Sequence, residues 1–304
     1  IVIEKYNPTP DSDAEDSARL NGIEGQALQM GGEKIYLGLA VSLLDEKAAL
    51  PFLTPERERL LEYDISRAIA KVVTPKKVVV GVMSALPVFG QPSNPMMRRQ
   101  RQPGQEPAVF VTELKNDFDV KQVEMTIDKI PDDISVLLVV HPRDITEKTQ
   151  YAIDQFVLRG GKLIAFLDPL AYFDQQNNQF AQFGGGGGHS SLDQLLKAWG
   201  IEMESGKVAA DRILAARNPQ GGSMPAVLLM NQKAFNTNDI VTSELNSLVL
   251  PFPGTFSGTP VSGLKETVLL NTTPDSQLVD GLMASMSGDQ INKEFKASGK
   301  EYPI

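Results

Sequence analysis

The chain has 304 residues, a net charge of −9, a sequence pI near 4.9 and no cysteine. This length predicts two domains, or one large α/β domain with an appendage. The acidic balance argues against nucleic acid or anionic lipid as the main partner, because binding to phosphates needs a basic surface. The missing cysteines exclude disulfides, thiolate metal sites and cysteine nucleophiles.

The first 74 residues predict a small α+β unit. Ile1 to Tyr6 predict a strand, and Ser12 to Leu20 predict a short polar helix. Alternating runs joined by the hairpin signal Gly31-Gly32, followed by a further strand at Ala48 to Phe52, predict a β meander.

A helix that opens at Thr54-Pro55 is expected to cover this meander. Threonine is a good N-cap, and proline suits the first helical position. One apolar stripe follows at helical spacing, formed by Leu61, Ile65, Ala68, Ile69 and Val72. Thr74-Pro75 ends the helix, and we place the domain boundary there, which divides the chain into 1–74 and 75–304.

From Lys77 the pattern changes to strand, loop, helix, strand. Apolar runs at Val78 to Ala85, Ile134 to Val140 and Leu163 to Leu167 are typical of strands buried on both faces of a parallel sheet. Between the last two runs the sequence predicts a helix, with a capping box, an inward stripe and a glycine stop: Asp144 with Glu147, then Ile153, Phe156 and Val157, then Gly160-Gly161. The fold class is therefore α/β, an open parallel sheet with helices on both faces.

The segment from Gly90 to Pro107 is polar and rich in proline, and it carries the basic cluster Arg98, Arg99 and Arg101. Long loops of this kind are either functional or disordered. The segment is interpreted as a mobile surface loop, or alternatively as a lid that docks a partner or binds an anion.

The stretch from Phe183 to Gly200 joins five glycines to a helix, which raises the question of a phosphate site. A phosphate loop needs a lysine and a hydroxyl at fixed offsets, or a strand directly before it, and both are missing here. Ser191 with Gln194 predicts a capping box, and Leu192 and Trp199 lie on one apolar face. We therefore interpret the glycines as a flexible linker rather than a weak anion site at the helix N-terminus.

Four side chains are candidates for a ligand crevice, because they follow predicted strands: Ser84, His141, Asp168 and Asp211. Each taken alone is also compatible with a structural role. The chain has two histidines, lacks a nucleophile elbow and lacks a metal-ligand motif. The sequence therefore predicts no enzyme activity, no metal and no cofactor.

Segments covering nearly the whole chain resemble the GldG-like auxiliary components of ABC transport systems, including those associated with gliding motility. The matching stretches are GGEKIYLGLAVS, PFLTPERERLLEYDISRAI, KKVVVGVMSALP, ISVLLVVHPRDITEKTQYAIDQFVLRGGKLIAFLDP, SLDQLLKAWGIEM with KVAADRIL, and LNSLVLPFPGTF followed by LLNTTPDSQLV. The long block from Ile134 to Pro169 is the most specific of them by its order and length.

This resemblance implies a periplasmic domain of an inner-membrane protein, held to the membrane by segments outside this sequence, beside a separate permease and ATPase that carry out the ATP chemistry. It also implies that the sheet is similar to the class I glutamine-amidotransferase fold, whose catalytic cysteine is absent here. The N-terminal unit looks like part of a thioredoxin-like fold whose first strand would precede Ile1.

The predicted function is that of a non-catalytic auxiliary subunit that binds a partner protein or a glycan-like ligand. One alternative is a hydrolase that acts on glycans through acidic residues at the strand ends, with Asp168 and Asp211 as the carboxylate pair. Another is a plain structural spacer, which exposed apolar surface at the crevice would argue against.

Overall fold

The computed structural model describes residues 2–27, 34–74, 76–90, 106–171, 174, 188–286 and 288–304. The chain divides into two compact units, Ile1–Val78 and Val79–Ile304. This division falls a few residues after Thr74, where the sequence places the domain boundary.

The first unit combines two β hairpins with two helices. Its elements are α1 (Asp13–Leu20), β1 (Gly25–Ala27), β2 (Lys34–Tyr36), β3 (Leu39–Leu43), β4 (Glu46–Leu50), a 3₁₀ turn at Pro55–Leu60 and α2 (Leu61–Val73). β1 pairs with β2 and β3 pairs with β4, both antiparallel. α2 packs against β3 and β4, so the helix covers the second of the two hairpins.

Several details of this unit differ from the prediction. The predicted strand from Ile1 to Tyr6 is wrong, because residues 2–9 form no ladder with any described strand and have no regular structure. The meander is two separate hairpins, since the predicted second strand breaks at Leu37-Gly38. The Gly31-Gly32 turn lies outside the described residues.

The start and the stripe of α2 also differ from the sequence pattern. Thr54 makes no side-chain capping bond, and a 3₁₀ turn precedes the α-helix. Ala68 and Val72 are buried as expected, whereas Ile69 is exposed. The third buried side chain of the helix is Asp64, which Arg57 neutralises through two hydrogen bonds.

The second unit begins with a parallel sheet. Its first elements are β5 (Val79–Ser84), α3 (Val109–Asp117), β6 (Asp119–Val123), β7 (Val136–Val140), α4 (Glu147–Leu158) and β8 (Lys162–Phe166). The four strands lie in the order β6-β5-β7-β8, and every pair is parallel. The α/β class is confirmed for this part of the chain, whereas the amidotransferase-like fold stays a prediction.

Helices cover both faces of this sheet. On one face Ile153 and Phe156 of α4 pack in a core cluster with Met83 and Leu137 of the strands. On the other face Val111 of α3 packs in a cluster with alternate residues of β5. Because successive side chains of a strand point to opposite faces, the apolar run of β5 is buried on both.

The capping of α4 corrects the prediction of a box between Asp144 and Glu147. Thr146 is the N-cap, and its hydroxyl accepts a hydrogen bond from the Thr149 N–H at 3.2 Å. Asp144 lies two residues before this N-cap, its side chain is exposed, and its backbone has a positive φ of 54°. The glycine stop is correct, since the helix ends at Leu158 and Gly160 follows with a φ of 94°.

The remainder of the second unit is antiparallel, which the sequence analysis did not predict. Its elements are α5 (Asp193–Trp199), β9 (Ile201–Met203), β10 (Lys207–Asp211), β11 (Ala215–Arg217), β12 (Ser223–Asn231), β13 (Ser247–Pro251), β14 (Phe256–Gly258), β15 (Ser276–Asp280), α6 (Gly281–Met286) and α7 (Gly288–Glu294). β9 pairs with β14, β10 with β15, and β12 with both β11 and β13. Within the described residues, every helix is too short or too polar to cross a membrane.

The predicted capping box of α5 is also wrong. Ser191 donates to the Pro142 carbonyl, and Gln194 donates to Glu147, so neither side chain caps the helix. α5 is instead fixed by its apolar face, where Leu195 and Leu196 are buried. The glycines at 184–187 lie outside the described residues.

Candidate functional site

The sheet has a topological switch point between β5 and β7. The chain leaves β5 to form β6 on one side, whereas β7 and β8 lie on the other side. In open α/β sheets ligands bind beyond the carboxyl ends of the strands at such a point. Ser84 and Val140 are register partners at these ends, so Ser84 and His141 meet there.

His141 is fully buried and holds an unusual backbone conformation. Its φ is 45°, in the left-handed region that a non-glycine residue rarely adopts. Its N–H donates to the Phe166 carbonyl at 2.9 Å, and its Nδ1 lies 3.0 Å from Ser190 Oγ. Its Nε2 has no hydrogen-bond partner among the described residues and lies 3.5 Å from Asp174 Oδ2.

Ser190, His141 and Asp174 have the residue types of a catalytic triad, and the sequence analysis found neither Ser190 nor Asp174. No motif marks them, because they come from segments far apart in the chain. Their environment does not suit nucleophilic catalysis, which needs a reachable hydroxyl. Ser190 is 1% exposed, and its Oγ accepts the Asp168 N–H at 2.8 Å. The cluster therefore fixes the backbone at the strand ends.

Asp168 is the candidate residue that stays available. Its carboxyl group has no hydrogen bond or ion pair with the described residues, while its backbone is held by Ser190 in both directions. Burial raises the pKa of this carboxyl, and the nearby His141 has a smaller effect in the opposite direction. A carboxyl that is desolvated and unbonded at a strand end is typical of a binding site.

Ser84 and Arg143 are two further polar side chains near the carboxyl ends of β5 and β7. Ser84 is half-buried, and its Oγ accepts the Leu86 N–H at 3.0 Å, while within the described residues the hydroxyl donates to no partner and can bond a ligand. Arg143 forms an ion pair with Asp174, so its guanidinium is already neutralised. The crevice therefore offers one hydroxyl and one carboxyl.

Asp211 is not part of this crevice. It is fully buried in β10, which is in an antiparallel pair and not in the parallel sheet. The Pro169 carbonyl bonds the Gly206 N–H at the opposite end of that strand. Five extended residues span about 16 Å, which is beyond the carboxyl separation of about 5–9.5 Å found in glycosidases.

The predicted arginine loop and the possibility of a metal site remain to be considered. Arg98, Arg99 and Arg101 lie outside the described residues. Across the described ranges, no group of three or more histidine, aspartate and glutamate side chains is arranged to hold a metal ion.

A family model described as an ABC-type uncharacterized transport system matches residues 77–304. The chain belongs to this family. It is therefore related to the auxiliary components of ABC-type transport systems, which confirms the coarser part of the resemblance. The narrower likeness to GldG and to gliding motility stays a prediction.

A relative of this ABC transport auxiliary chain is an uncharacterized protein of Borreliella burgdorferi (strain ATCC 35210 / DSM 4680 / CIP 102532 / B31). The two are 24% identical over 174 residues, which cover 56% of this chain and 30% of the relative. The chain thus matches less than a third of that protein's length. The match supports a shared ancestry and adds no information on a ligand.

Proposed function

We propose that this protein is a non-catalytic, extracytoplasmic auxiliary subunit of an ABC transport or gliding-motility system, and that it acts by binding a partner protein or a glycan-like ligand. In this proposal it is held at the inner membrane by segments beyond this sequence. A separate permease and ATPase are its partners, and ATP hydrolysis belongs to the ATPase.

Among the described residues, the burial of the histidine and serine of the cluster supports a non-catalytic role. Proton transfer and nucleophilic attack need groups within hydrogen-bond reach of a substrate. His141 and Ser190 are sealed inside the protein, and Asp174 is paired with Arg143. Asp211, the predicted carboxylate partner of Asp168, lies beyond glycosidase distance, which weighs against the alternative of a glycan hydrolase that uses this pair.

The carboxyl of Asp168 is the observation that carries the binding proposal. This carboxyl is partly buried and unbonded, which disfavours its ionised form. It therefore makes no contact that would stabilise the described fold. It follows β8 at the carboxyl edge of the sheet, near His141, where it can accept hydrogen bonds from a bound molecule.

Exposed apolar surface beside the crevice argues against a plain spacer. Phe166 ends β8, its carbonyl bonds the His141 N–H, and its side chain is 60% exposed. Ile164, two residues earlier on the same face, is 49% exposed. Apolar side chains next to a polar crevice are typical of a surface that another molecule covers.

The first experiment is affinity purification of the full protein from detergent-solubilised membranes. We expect a permease and an ATPase to be recovered with it. The transport assignment fails if the intact protein is recovered from membranes without either subunit.

The crevice is tested in the same preparation with Asp168→Asn. We expect this variant to lose a bound partner or ligand. Asp144→Asn is the control and should retain the binding, because Asp144 follows the neighbouring strand β7 and its side chain is exposed. Equal recovery with both variants would show that binding does not use the crevice.

A further inference from the structure

A cleft of about 480 Å³ lies in the antiparallel part of the second unit. Its volume is within the range of about 300–1,000 Å³ that small-molecule sites occupy. Ser84, His141 and Asp168 are not among its lining residues, so it is separate from the crevice at the switch point. The inference drawn from it does not depend on the proposed function.

Three extended segments form a rigid floor for this cleft. Phe235 bridges Leu270, and Asn271 bridges Pro303, both antiparallel. Backbone hydrogen bonds of 3.0 Å join Asn271 N–H to the Ala234 carbonyl and Ile304 N–H to the Leu270 carbonyl. The central segment is thus bonded on both sides, which holds the lining residues in fixed positions.

The buried carboxylate of Asp211 joins two walls of the cleft. Its Oδ1 accepts the Ile213 N–H at 2.8 Å, and its Oδ2 accepts the Thr273 N–H at 2.6 Å. Ile213 and Thr273 both line the cleft, although Asp211 itself does not. Asp211 is therefore a positioning residue for this cleft rather than a ligand-binding residue.

Three polar side chains with different functional groups line the cleft. Lys233 supplies a cation, Asn271 a carboxamide and Glu301 a carboxylate. Throughout the described part of the chain, none of these side chains has a hydrogen bond or an ion pair. Such groups are free to bind a ligand that has both a negative and a positive end.

The order of the floor segments places the two charged residues on opposite sides of the cleft floor. Lys233 lies in the turn from Asn231 to Ala234, directly before Phe235, and Glu301 lies two residues before Pro303, so the two residues stand on opposite sides of the central segment. Two strand spacings separate the flanking segments at Phe235 and Pro303 by about 9.5 Å. Charge-assisted hydrogen bonds of about 2.8 Å at each end leave room for a molecule the length of an amino acid or dipeptide.

The remaining wall is apolar. Ile213, Val268 and Pro274 line the cleft, and the Ile213 side chain is 59% exposed. These side chains can contact an aliphatic side chain of a ligand. One cation beside a carboxylate is a poor site for phosphate groups, which are bound by several donors.

We propose that this cleft binds a short zwitterionic peptide or amino acid, with the ligand carboxylate at Lys233, its ammonium group at Glu301, and its apolar side chain against Ile213. Asn271 lies between the two charges and bonds the ligand backbone.

The test is calorimetric titration of the intact chain with the dipeptide alanyl-leucine. Two blocked forms are titrated beside it: the N-acetyl form, which lacks the ammonium group, and the C-terminal amide, which lacks the carboxylate. We expect saturable binding of the free dipeptide and binding at least about tenfold weaker for each blocked form, because each loses a charge-assisted hydrogen bond.

Two variants assign the ends of the ligand. Lys233→Met is expected to remove the preference for the free carboxylate over the amide, and Glu301→Gln to remove the preference for the free ammonium group over the acetyl form. Lys296→Met and Glu244→Gln, which change charges outside the cleft, are the controls and should keep both preferences. Urea midpoints of all four variants show whether each is folded.

The proposal is overturned if folded wild-type protein gives no saturable heat with alanyl-leucine. It is also overturned if the blocked forms bind as well as the free dipeptide, or if both preferences survive in the folded Lys233 and Glu301 variants. Equal binding of a neutral disaccharide such as maltose would assign the cleft to another class of ligand and would reject the zwitterion.

Discussion

At the scale of single residues, the buried carboxylate of Asp211 holds backbone N–H groups in place. Asp211 is fully buried and accepts three of them, from Ile213, Leu214 and Thr273. Leaving a buried N–H without an acceptor costs about 1–3 kcal/mol. The carboxylate therefore stabilises the turn after β10 and its contact with the segment before β15.

We expect Asp211→Asn to lower the free energy of unfolding by about 2 kcal/mol. The substitution replaces one carboxylate oxygen with an NH₂ group, which faces the Thr273 N–H and cannot accept its hydrogen bond. Asp239→Asn is the matched control, since Asp239 Oδ1 accepts the Val241 N–H at 3.0 Å in a more exposed turn. Its cost should stay within about 0.5 kcal/mol. Urea unfolding measures both, and equal losses would contradict this role of Asp211.

Asp168 differs from Asp211, because its carboxyl bonds no backbone N–H group among the described residues and the fold disfavours its ionised form. Burial raises its pKa above the ordinary value of 3.8, so the folded protein holds the proton to higher pH than the unfolded chain does. Below that ordinary value both states are protonated and the residue has no effect on stability. As the pH rises above it, the unfolded state ionises first and stability falls until the folded carboxyl has ionised as well.

Asp168→Asn should therefore raise the urea midpoint at pH 7, and the gain should shrink as the pH approaches 4. The measurement is the difference between variant and wild-type midpoints at several pH values. A variant that is less stable at pH 7 would mean that the ionised carboxyl makes a favourable contact in the fold.

At the scale of elements, the link between α4 and β8 depends on two glycines with different requirements. Gly160 has a φ of 94°, and a Cβ there would meet no atom within 4 Å. Gly161 has no positive φ, but a Cβ there would lie 2.4 Å from the Phe156 ring. Phe156 is fully buried in the core between α4 and the sheet, so it has little room to move.

Gly161→Ala should cost more stability than Gly160→Ala. The first forces a methyl group into a packed ring, at about 2–3 kcal/mol, and the second strains the backbone, at about 1 kcal/mol. Urea unfolding of both variants gives the comparison. If Gly160→Ala were the more costly change, backbone conformation rather than close packing would limit this connection.

β8 shows how an edge strand differs from the interior of its sheet. Its neighbour β7 has buried side chains on both faces, whereas Ile164 and Phe166 of β8 are exposed. The apolar run of β8 alone resembles that of a fully buried strand. An edge strand with exposed apolar side chains is a site where another chain can add.

At the scale of the whole molecule, the described apolar cores are unequally distributed between the two units. The core clusters consist of residues from Val80 onward, within the second unit. In the described part of the first unit, the buried apolar side chains are Ala18, Ala68 and Val72. A core of this size contributes little stability, since burial is worth about 0.8 kcal/mol per CH₂ group.

A shortened protein comprising residues 77–304 should therefore fold alone. We expect cooperative urea unfolding with a midpoint close to that of the full chain, because the shortened protein retains the described core clusters. Residues 1–78 alone should unfold over a broad range of urea. Circular dichroism follows both, and loss of cooperative unfolding in the 77–304 protein would show that its cores need the first unit.

The local sequence pattern correctly predicted the elements that have long apolar runs or clear helical spacing. β5, β7, β8 and α4 follow from apolar runs and helical spacing, and Gly160 ends α4 as predicted. The helix caps were misassigned because a capping side chain must point at an N–H group, and spacing alone does not fix that direction. Thr146, not Asp144, points in the required direction.

By itself the sequence determined the α/β class, because the parallel strands and their helix are encoded by contiguous apolar patterns. Its resemblance to the ABC transport auxiliary family is likewise a property of the sequence, and the family model confirms it. Tertiary structure alone decided which candidates meet. It placed Ser84, His141 and Asp168 at one edge of the sheet, buried Ser190 beneath them, and moved Asp211 into an antiparallel pair that supports another cleft. Strand neighbours are set by pairing between distant segments, and no local pattern specifies that pairing.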